Sequence, residues 1–213
     1  QIYKKFNILK DMKTEVNAEI VKKLRNETGA GMMNCKKALI ENDGDYEKAV
    51  KSLKLKGMAT ADKKASRNTN EGLIYSYIHT GNKLGILIEI NCETDFVARR
   101  EEFSDLAKNI AMQIASNPEL SVVSMNDISE SLKNEVKEFE SAKNDLQNKP
   151  KEIKDKIIEG RVEKSLKSKV LLEQEYIRDP NVTVNEYIKQ VIGTLGENIK
   201  VARFTRYLLG EIR

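Results

Sequence analysis

The residues that first suggest a chemical role are Thr94, Asp95 and Phe96, which lie between a strand-like run and a helix-like run. A turn of this kind can present a carboxylate beside an aromatic ring at the surface. In a structural interpretation, Thr94 or Asp95 caps the helix and Phe96 packs on its first turns as a hydrophobic staple. In a functional interpretation, the ring is an apolar wedge for a partner and the carboxylate lies near a phosphate or metal. The pattern alone favours the structural interpretation.

The glycine-rich turn Gly29-Ala30-Gly31 is the second candidate. A P-loop needs Gly, four residues and then Gly-Lys-Ser/Thr, and a dinucleotide-binding loop needs a preceding strand and a third glycine. Neither pattern is present, because a helix-like run precedes the turn and Asn34 stands in the third glycine position. We therefore predict an interhelical turn and no cofactor. Of Met32 and Met33, at least one is predicted to lie in the core, and the other could face a partner.

The sequence offers few other residues that could support catalysis or bind a metal. Cys35 and Cys92 have no metal-binding spacing and fit a reducing compartment, and His79 is the only histidine. We predict no catalytic residue and no metal site. The basic clusters around Lys36 and Lys63 are predicted to be solvated faces.

The composition limits the class of partner. The chain has 213 residues, with 37 Lys and Arg, 33 Asp and Glu, and a formal net charge of +4. No apolar run approaches the roughly 20 residues that a membrane-spanning helix needs, so no membrane partner is expected. The small net charge and the lack of aromatic residues among the basic clusters do not indicate direct nucleic-acid binding. An acidic protein surface fits this weak basic bias better.

The organisation predicts an α+β fold with an amino-terminal three-helix bundle, a linker, and a core in which a small antiparallel sheet packs with helices. Charged residues make up 33% of the chain, which indicates exposed helices, including a charged helical hairpin. The predicted boundaries are an extension over 1–15 that could be disordered, the bundle over 16–58, and the linker over 59–71, whose first half could be helical. The core is predicted over 72–213, with the hairpin at about 131–168.

Local patterns support these elements. Asn17 and Asp45 are predicted helix caps in the bundle, and Thr183 is predicted to cap a late helix. Alternating apolar residues around a Gly-Asn turn predict a β-hairpin, and the last segment is predicted to be an edge strand. A helical period of apolar residues predicts an amphipathic helix through Phe103, Leu106, Ala107, Ile110, Ala111 and Ile114.

Several of these stretches resemble the elongation factor Ts family. The residues over 24–39 and 44–49 resemble its amino-terminal module, and those over 89–98 resemble its core signature. Shorter matches to its later blocks are Ile158-Glu159-Gly160-Arg161, Leu171-Leu172-Glu173-Gln174 and Arg203-Phe204-Thr205-Arg206-Tyr207. The resemblance covers about residue 16 to the end of the chain.

The resemblance implies a guanine-nucleotide exchange factor for elongation factor Tu, without covalent chemistry and therefore not an enzyme. It implies that the bundle is ubiquitin-associated-like and docks on the GTPase domain of that partner through Leu24, Arg25, Met32, Met33 and Lys36. It also implies that the core signature promotes GDP release by disturbing the partner's magnesium and phosphate contacts through Thr94, Asp95, Phe96 and Val97. On this basis the functional interpretation of the core signature replaces the structural one.

Two features depart from the common family pattern. Asn34 stands where the family usually has Asp, and the length matches the family's short branch, in which the core appears once. A single core leaves a sheet edge and an apolar face exposed, so we expect a homodimer, or a dimer formed on the partner. Usage rich in Lys, Asn and Ile, together with the short form, favours a plastid stroma or a bacterial cytoplasm. The alternatives are a helical adaptor that binds an acidic protein without exchange activity, and a basic RNA-associated helical protein.

Overall fold

The computed structural model describes residues 16–143 and 150–211. The predicted extension over 1–15 lies outside the described residues. The chain divides into two compact units, which we describe separately. The first contains the described residues up to Arg67 together with Lys189–Asn198, and the second contains Asn68–Ile188 and the residues from Ile199 onward.

Three helices build most of the first unit. They are α1 (Ala18–Thr28), α2 (Met32–Glu41) and α3 (Tyr46–Lys64). The two predicted caps are confirmed, because the Asn17 side chain accepts a hydrogen bond from the Glu19 amide and the Asp45 side chain accepts one from the Lys48 amide. Gly29 ends α1 in the left-handed region, with a φ of 65°, which a residue without Cβ adopts easily.

The three helices share one apolar core. Its buried members are Val21, Leu24, Cys35, Ala38, Leu39, Ala49, Val50 and Leu53. Ile20, which the sequence pattern assigns to the inner stripe of α1, is instead exposed. That these helices form a ubiquitin-associated-like module stays a prediction.

The first half of the predicted linker is helical, as the sequence allowed. The helix α3 continues to Lys64, so the first six residues of the predicted linker over 59–71 are helical. Ala61 is buried and stabilises this extension. Gly57 and Gly193 also meet closely, since a Cβ added at Gly193 would lie 2.8 Å from the Cα of Gly57. The bundle therefore gains a packing partner from a segment about 130 residues later in the chain.

The second unit contains strands and helices, which confirms the predicted α+β class. Its strands are β1 (Glu71–Ile78), β2 (Leu84–Cys92), β3 (Glu175–Tyr176), β4 (Asp179–Thr183) and β5 (Ile199–Leu208). An antiparallel sheet has the order β1-β2-β5, and β3 pairs with β4. The predicted hairpin is β1-β2, and β5 is an edge strand as predicted.

The helices of the second unit are α4 (Asp95–Ala98), α5 (Glu101–Ser116), α6 (Glu130–Ser141) and α7 (Lys151–Lys167), followed by α8 (Val184–Leu195), whose last residues belong to the first unit. All six apolar residues predicted for the inner face of α5 are buried. Thr183 and Glu186 form a reciprocal cap at the start of α8, because each side chain accepts a hydrogen bond from the other residue's backbone amide.

The three-stranded sheet has one covered face and one open face. Ile86, Ile88 and Ile90 of β2 are buried on the face near α5, which packs against β1 and β2. The opposite face presents Ile74, Ile78, Leu87 and Tyr207, all of them exposed. The period of two along each strand produces this division.

The helical hairpin consists of α6 and α7, which pack against each other. Its core contains Ile128, Val136, Leu166 and Val170. Phe139 follows Val136 at helical spacing, which would put both on one apolar stripe, but Phe139 is 67% exposed. Leu146, assigned to the same stripe, lies outside the described residues. No helix among the described residues combines the length and apolarity needed to cross a bilayer.

Candidate partner-binding sites

The core signature folds into a tight turn directly after β2. The buried Cys92 thiol donates a hydrogen bond to the Thr94 carbonyl oxygen at 3.1 Å. Thr94 then takes the N-cap position of α4 with an extended backbone, at φ −133° and ψ 157°. The short helix α4 packs against both β1 and β2. The sheet therefore fixes the position of this turn.

Phe96 and Val97 point to different sides of that turn. Val97 is 6% exposed, whereas Phe96 is 81% exposed. Adjacent side chains on an α-helix are rotated by about 100°, so a buried Val97 directs Phe96 towards solvent. The interpretation of Phe96 as a hydrophobic staple is therefore wrong. Val97 is buried in the free chain and anchors the turn, and its contact with the partner stays a prediction.

Asp95 forms an ion pair at the same surface. One of its carboxylate oxygens lies 3.0 Å from a guanidinium nitrogen of Arg99, one helical turn later. The next residue, Arg100, pairs instead with Glu102 at 2.6 Å. Arg99 is largely solvent-exposed and Asp95 is about half-exposed, and pairs near the surface contribute about 0–1 kcal/mol. The Asp95 carboxylate can therefore exchange partners at little cost.

A second exposed group of side chains lies on the first unit, around the turn between α1 and α2. Met33 is 76% exposed and Met32 is 42% exposed, so the prediction that at least one of them lies in the core is wrong. Cys35, Ala38 and Leu39 already fill the inner face of α2. Arg25 and Lys36 are exposed as well. Two thioethers and two cations are therefore available to a partner.

Leu24 differs from the other four residues predicted for docking, because it is completely buried. In the free chain it supports the surface from below, and its part in docking stays a prediction. Its carbonyl oxygen accepts a hydrogen bond of 2.6 Å from the Thr28 hydroxyl. At the same end of α1, the Tyr46 hydroxyl donates to a Glu27 carboxylate oxygen at 2.5 Å, which raises the pKa of Tyr46 to about 12. These bonds hold the end of α1.

The structure thus provides two exposed groups. Arg25, Met32, Met33 and Lys36 lie together on the first unit, and Asp95 and Phe96 lie together on the second. Within the described residues, no cluster of three or more His, Cys, Asp or Glu side chains could hold a metal ion. Both groups have the apolar and charged character of protein contacts.

Comparison with known proteins decides the family. A family model described as Elongation factor TS matches residues 10–211. The chain belongs to the elongation factor Ts family. Its relatives include the chloroplastic elongation factor Ts of Phaeodactylum tricornutum, 79% identical over 201 residues, which are 94% of this chain and 100% of the relative.

Two further relatives extend the range of sources. The chloroplastic elongation factor Ts of Rhodomonas salina is 58% identical over 94% of this chain and 91% of its own length. Elongation factor Ts of Rippkaea orientalis is 57% identical over 92% of this chain and 79% of its own length. The predicted localisation in a plastid stroma or a bacterial cytoplasm is confirmed.

Family membership also supplies the general function. Elongation factor Ts proteins are nucleotide exchange factors for elongation factor Tu in translation, and they do not catalyse covalent chemistry. The partner of this chain is therefore elongation factor Tu. This outcome favours the exchange factor over the adaptor and over the RNA-associated protein.

Sequence reasoning missed Arg99 as the ion-pair partner of Asp95. The spacing of four residues between Asp95 and Arg99 was the available signal, since side chains at i and i+4 are neighbours on a helix. Because α4 has only four residues, the sequence did not clearly predict a helix that would bring Asp95 and Arg99 together. The exposed apolar residues of the sheet could be found only after the strand register was known.

Proposed function

We propose that this elongation factor Ts promotes GDP release by placing the Phe96 ring against the nucleotide-binding domain of elongation factor Tu, where it disturbs the magnesium and phosphate contacts. The observation that carries the proposal is the 81% exposure of Phe96 on a turn whose next residue, Val97, is buried. A large ring held in water by a rigid turn is typical of a residue that becomes buried in a complex.

The energy of ring burial can drive this step. Transferring a phenylalanine side chain from water to an apolar site contributes about 1.5–3 kcal/mol. Because Cys92 and Val97 fix the turn, little conformational freedom is lost when the ring binds. Most of the gain is then available to displace structure in the partner.

Asp95 has a different part in the proposal. Its carboxylate is half-exposed and pairs with Arg99. Brought near a diphosphate, a carboxylate repels the anion, and near a magnesium ion it competes for the cation's ligand positions. Either effect weakens several charge-assisted contacts of GDP together.

The exposed group on the first unit provides docking. We propose that Arg25, Met32, Met33 and Lys36 bind the GTPase domain, with Leu24 supporting them from the core. Methionine side chains adapt to an uneven apolar surface, and the two cations suit acidic neighbours. This contact supplies affinity, while Phe96 and Asp95 act on the nucleotide.

Thermodynamic linkage connects the two contacts to exchange. A factor that binds nucleotide-free elongation factor Tu more tightly than its GDP form weakens GDP binding by the same ratio. The factor is released when a new nucleotide binds, because the coupling is reciprocal. No bond to the factor forms or breaks.

The substitution Phe96→Ala tests the proposal. We expect the stimulated release of a fluorescent GDP analogue from elongation factor Tu to slow by about thirtyfold, the effect of losing a strong interface aromatic residue. Thermal stability should stay near the wild-type value because the ring is exposed. Phe139→Ala, which removes another exposed ring, is the matched control and should retain full exchange activity. Unfolding of Phe96→Ala, with normal exchange per folded molecule, would contradict the proposal.

We also propose a homodimer formed by the open face of the sheet. Ile74, Ile78, Leu87 and Tyr207 make an apolar patch on adjacent strands, and the Glu89–Arg203 pair at 2.7 Å adds no net charge. A neutral apolar patch can face its own copy across a two-fold axis without charge repulsion. A second copy of the chain is therefore the occupant that this face fits.

Analytical ultracentrifugation of wild type and Ile78→Glu tests the dimer. Opposed carboxylates at the centre of a two-fold contact repel, so the variant should sediment as a monomer where the wild type is a dimer. Ile40→Glu, which changes an exposed isoleucine of the first unit, is the control and should not affect association. A wild-type monomer at high concentration, with one copy bound per elongation factor Tu, would exclude the dimer.

A further inference from the structure

A cleft of about 490 Å³ lies entirely within the first unit, and neither proposed contact with elongation factor Tu uses it. Its walls come from the turn between α1 and α2, from one side of α3 and from the end of α8. Its volume falls within the roughly 300–1,000 Å³ of small-molecule sites. Its ionisable lining residues are Lys37, Lys54, Lys56, Lys63 and Glu27.

Existing contacts neutralise only part of this positive lining. Glu41, outside the lining, lies 2.5 Å from Lys56 and 3.9 Å from Lys37. Among the described residues, neither Lys54 nor Lys63 has an ion-pair partner. Lys54 and Lys63 of α3 therefore line the cleft without a direct ion pair, and Glu27 is the acidic residue among the described lining residues.

The surrounding unit strengthens the positive potential. Its described residues include 13 Lys and Arg and 8 Asp and Glu, a net charge of +5, against +4 for the whole chain. The basic character of the protein is thus concentrated in this unit. A concave wall with charges of one sign focuses the field and raises the local concentration of anions.

The lining also indicates the chemical class of the anion. Among the described lining residues none is aromatic, so a nucleobase would find no stacking surface. Lysine ammonium groups bind phosphate as point charges, and the amide side chains of Asn34 and Gln190 supply further donors. We propose that the cleft binds a compact polyanion that carries two or more phosphate groups, recognised through its phosphates alone.

Calorimetric titration of the full chain with inorganic tripolyphosphate tests this site. We expect one ion per chain, with an affinity that falls as salt is added. Lys54→Gln with Lys63→Gln should weaken binding by about tenfold for each lysine removed, the effect of losing a charged hydrogen bond. Lys22→Gln with Lys51→Gln removes two exposed lysines outside the cleft and should leave the affinity unchanged. An equal loss in both double variants would show diffuse attraction and overturn the proposal.

Asn34→Asp separates binding from folding. Position 34 is in the first turn of α2, where a carboxylate is favourable to the helix, so the thermal stability should be retained or raised. The same carboxylate enters the cleft wall and should weaken tripolyphosphate binding by about tenfold or more. Unchanged binding in a stable Asn34→Asp variant would exclude the site.

Competing ligands identify which chemical group of the ligand the cleft recognises. If phosphates alone are recognised, GTP should bind within a few-fold of tripolyphosphate, since the two share a triphosphate chain. Much tighter binding of GTP would mean that the cleft also binds the nucleobase. Much tighter binding of hexaglutamate would mean that the cleft binds an acidic peptide. Either result would overturn the proposal. These titrations need no elongation factor Tu, so they do not depend on the proposed exchange mechanism.

Discussion

The two exposed groups of this molecule are built in opposite ways. On the second unit, one ring and one carboxylate project from a four-residue helix that the sheet holds in place. On the first unit, four side chains spread over two helices around a glycine-containing turn. A single side chain dominates one surface, whereas several share the other. A single substitution should therefore affect exchange strongly on the second unit and weakly on the first. Comparing exchange and stability in substituted variants measures this difference.

The largest expected effect contrasts Leu24 with Met33 in the first unit. Leu24→Ala leaves a cavity in the shared core and should lower the free energy of unfolding by about 2–5 kcal/mol. Met33→Ala changes an exposed side chain and should alter it by less than about 0.5 kcal/mol. Urea denaturation measures both. Similar losses in the two variants would mean that the exposed methionine packs in solution.

Val97→Ala should produce the next largest effect, on the second unit. It removes two buried methyl groups below the turn and should cost about 1–3 kcal/mol of unfolding free energy. Because Val97 anchors the turn, GDP release should slow as well. Measuring exchange and denaturation on the same preparation checks this. Normal exchange in a destabilised variant would show that the ring does not depend on this anchor.

Met32→Ala and Met33→Ala should each produce a smaller change in exchange. Shared contacts lose about 1 kcal/mol or less per side chain, so the concentration of factor needed for half-maximal release should rise by about fivefold. The maximal rate should be unchanged, because docking does not touch the nucleotide. In Phe96→Ala the maximal rate itself should fall. A fall of the maximal rate in both methionine variants would remove the distinction between docking and displacement.

These contrasts show what sequence patterns could and could not predict. The inner face of α5 was predictable because its apolar residues repeat with the helical period. The exposure of Phe96 was not, since Val97 and Phe96 are adjacent apolar residues in a helix of only one turn. The resemblance placed Leu24 in a docking motif, but a motif does not show which of its side chains face the core.

The end of α3 depends on a related long-range contact. Residues over 59–64 have a polar, small composition that resembles a linker, yet α3 continues through them. The close approach of Gly57 and Gly193 and the burial of Ala61 stabilise this helix. Both depend on a segment far away in sequence, and a local pattern cannot report such a contact. Small residues at a helix crossing resemble those of a flexible connection.

The smallest effect is expected from Glu89→Gln on the open face of the sheet. The hydrogen bond from Arg203 lowers the pKa of Glu89 in the folded state, so the pair stabilises the fold above about pH 4.3, the unfolded pKa of glutamate. This contribution is lost as the pH falls through the folded pKa. Arg203 is largely exposed, and the expected loss at pH 7 is therefore below about 1 kcal/mol. Melting temperatures of wild type and variant should differ at pH 7 and converge once the pH falls below the lowered pKa of Glu89. A difference that persists at low pH would assign the effect to packing on the open face.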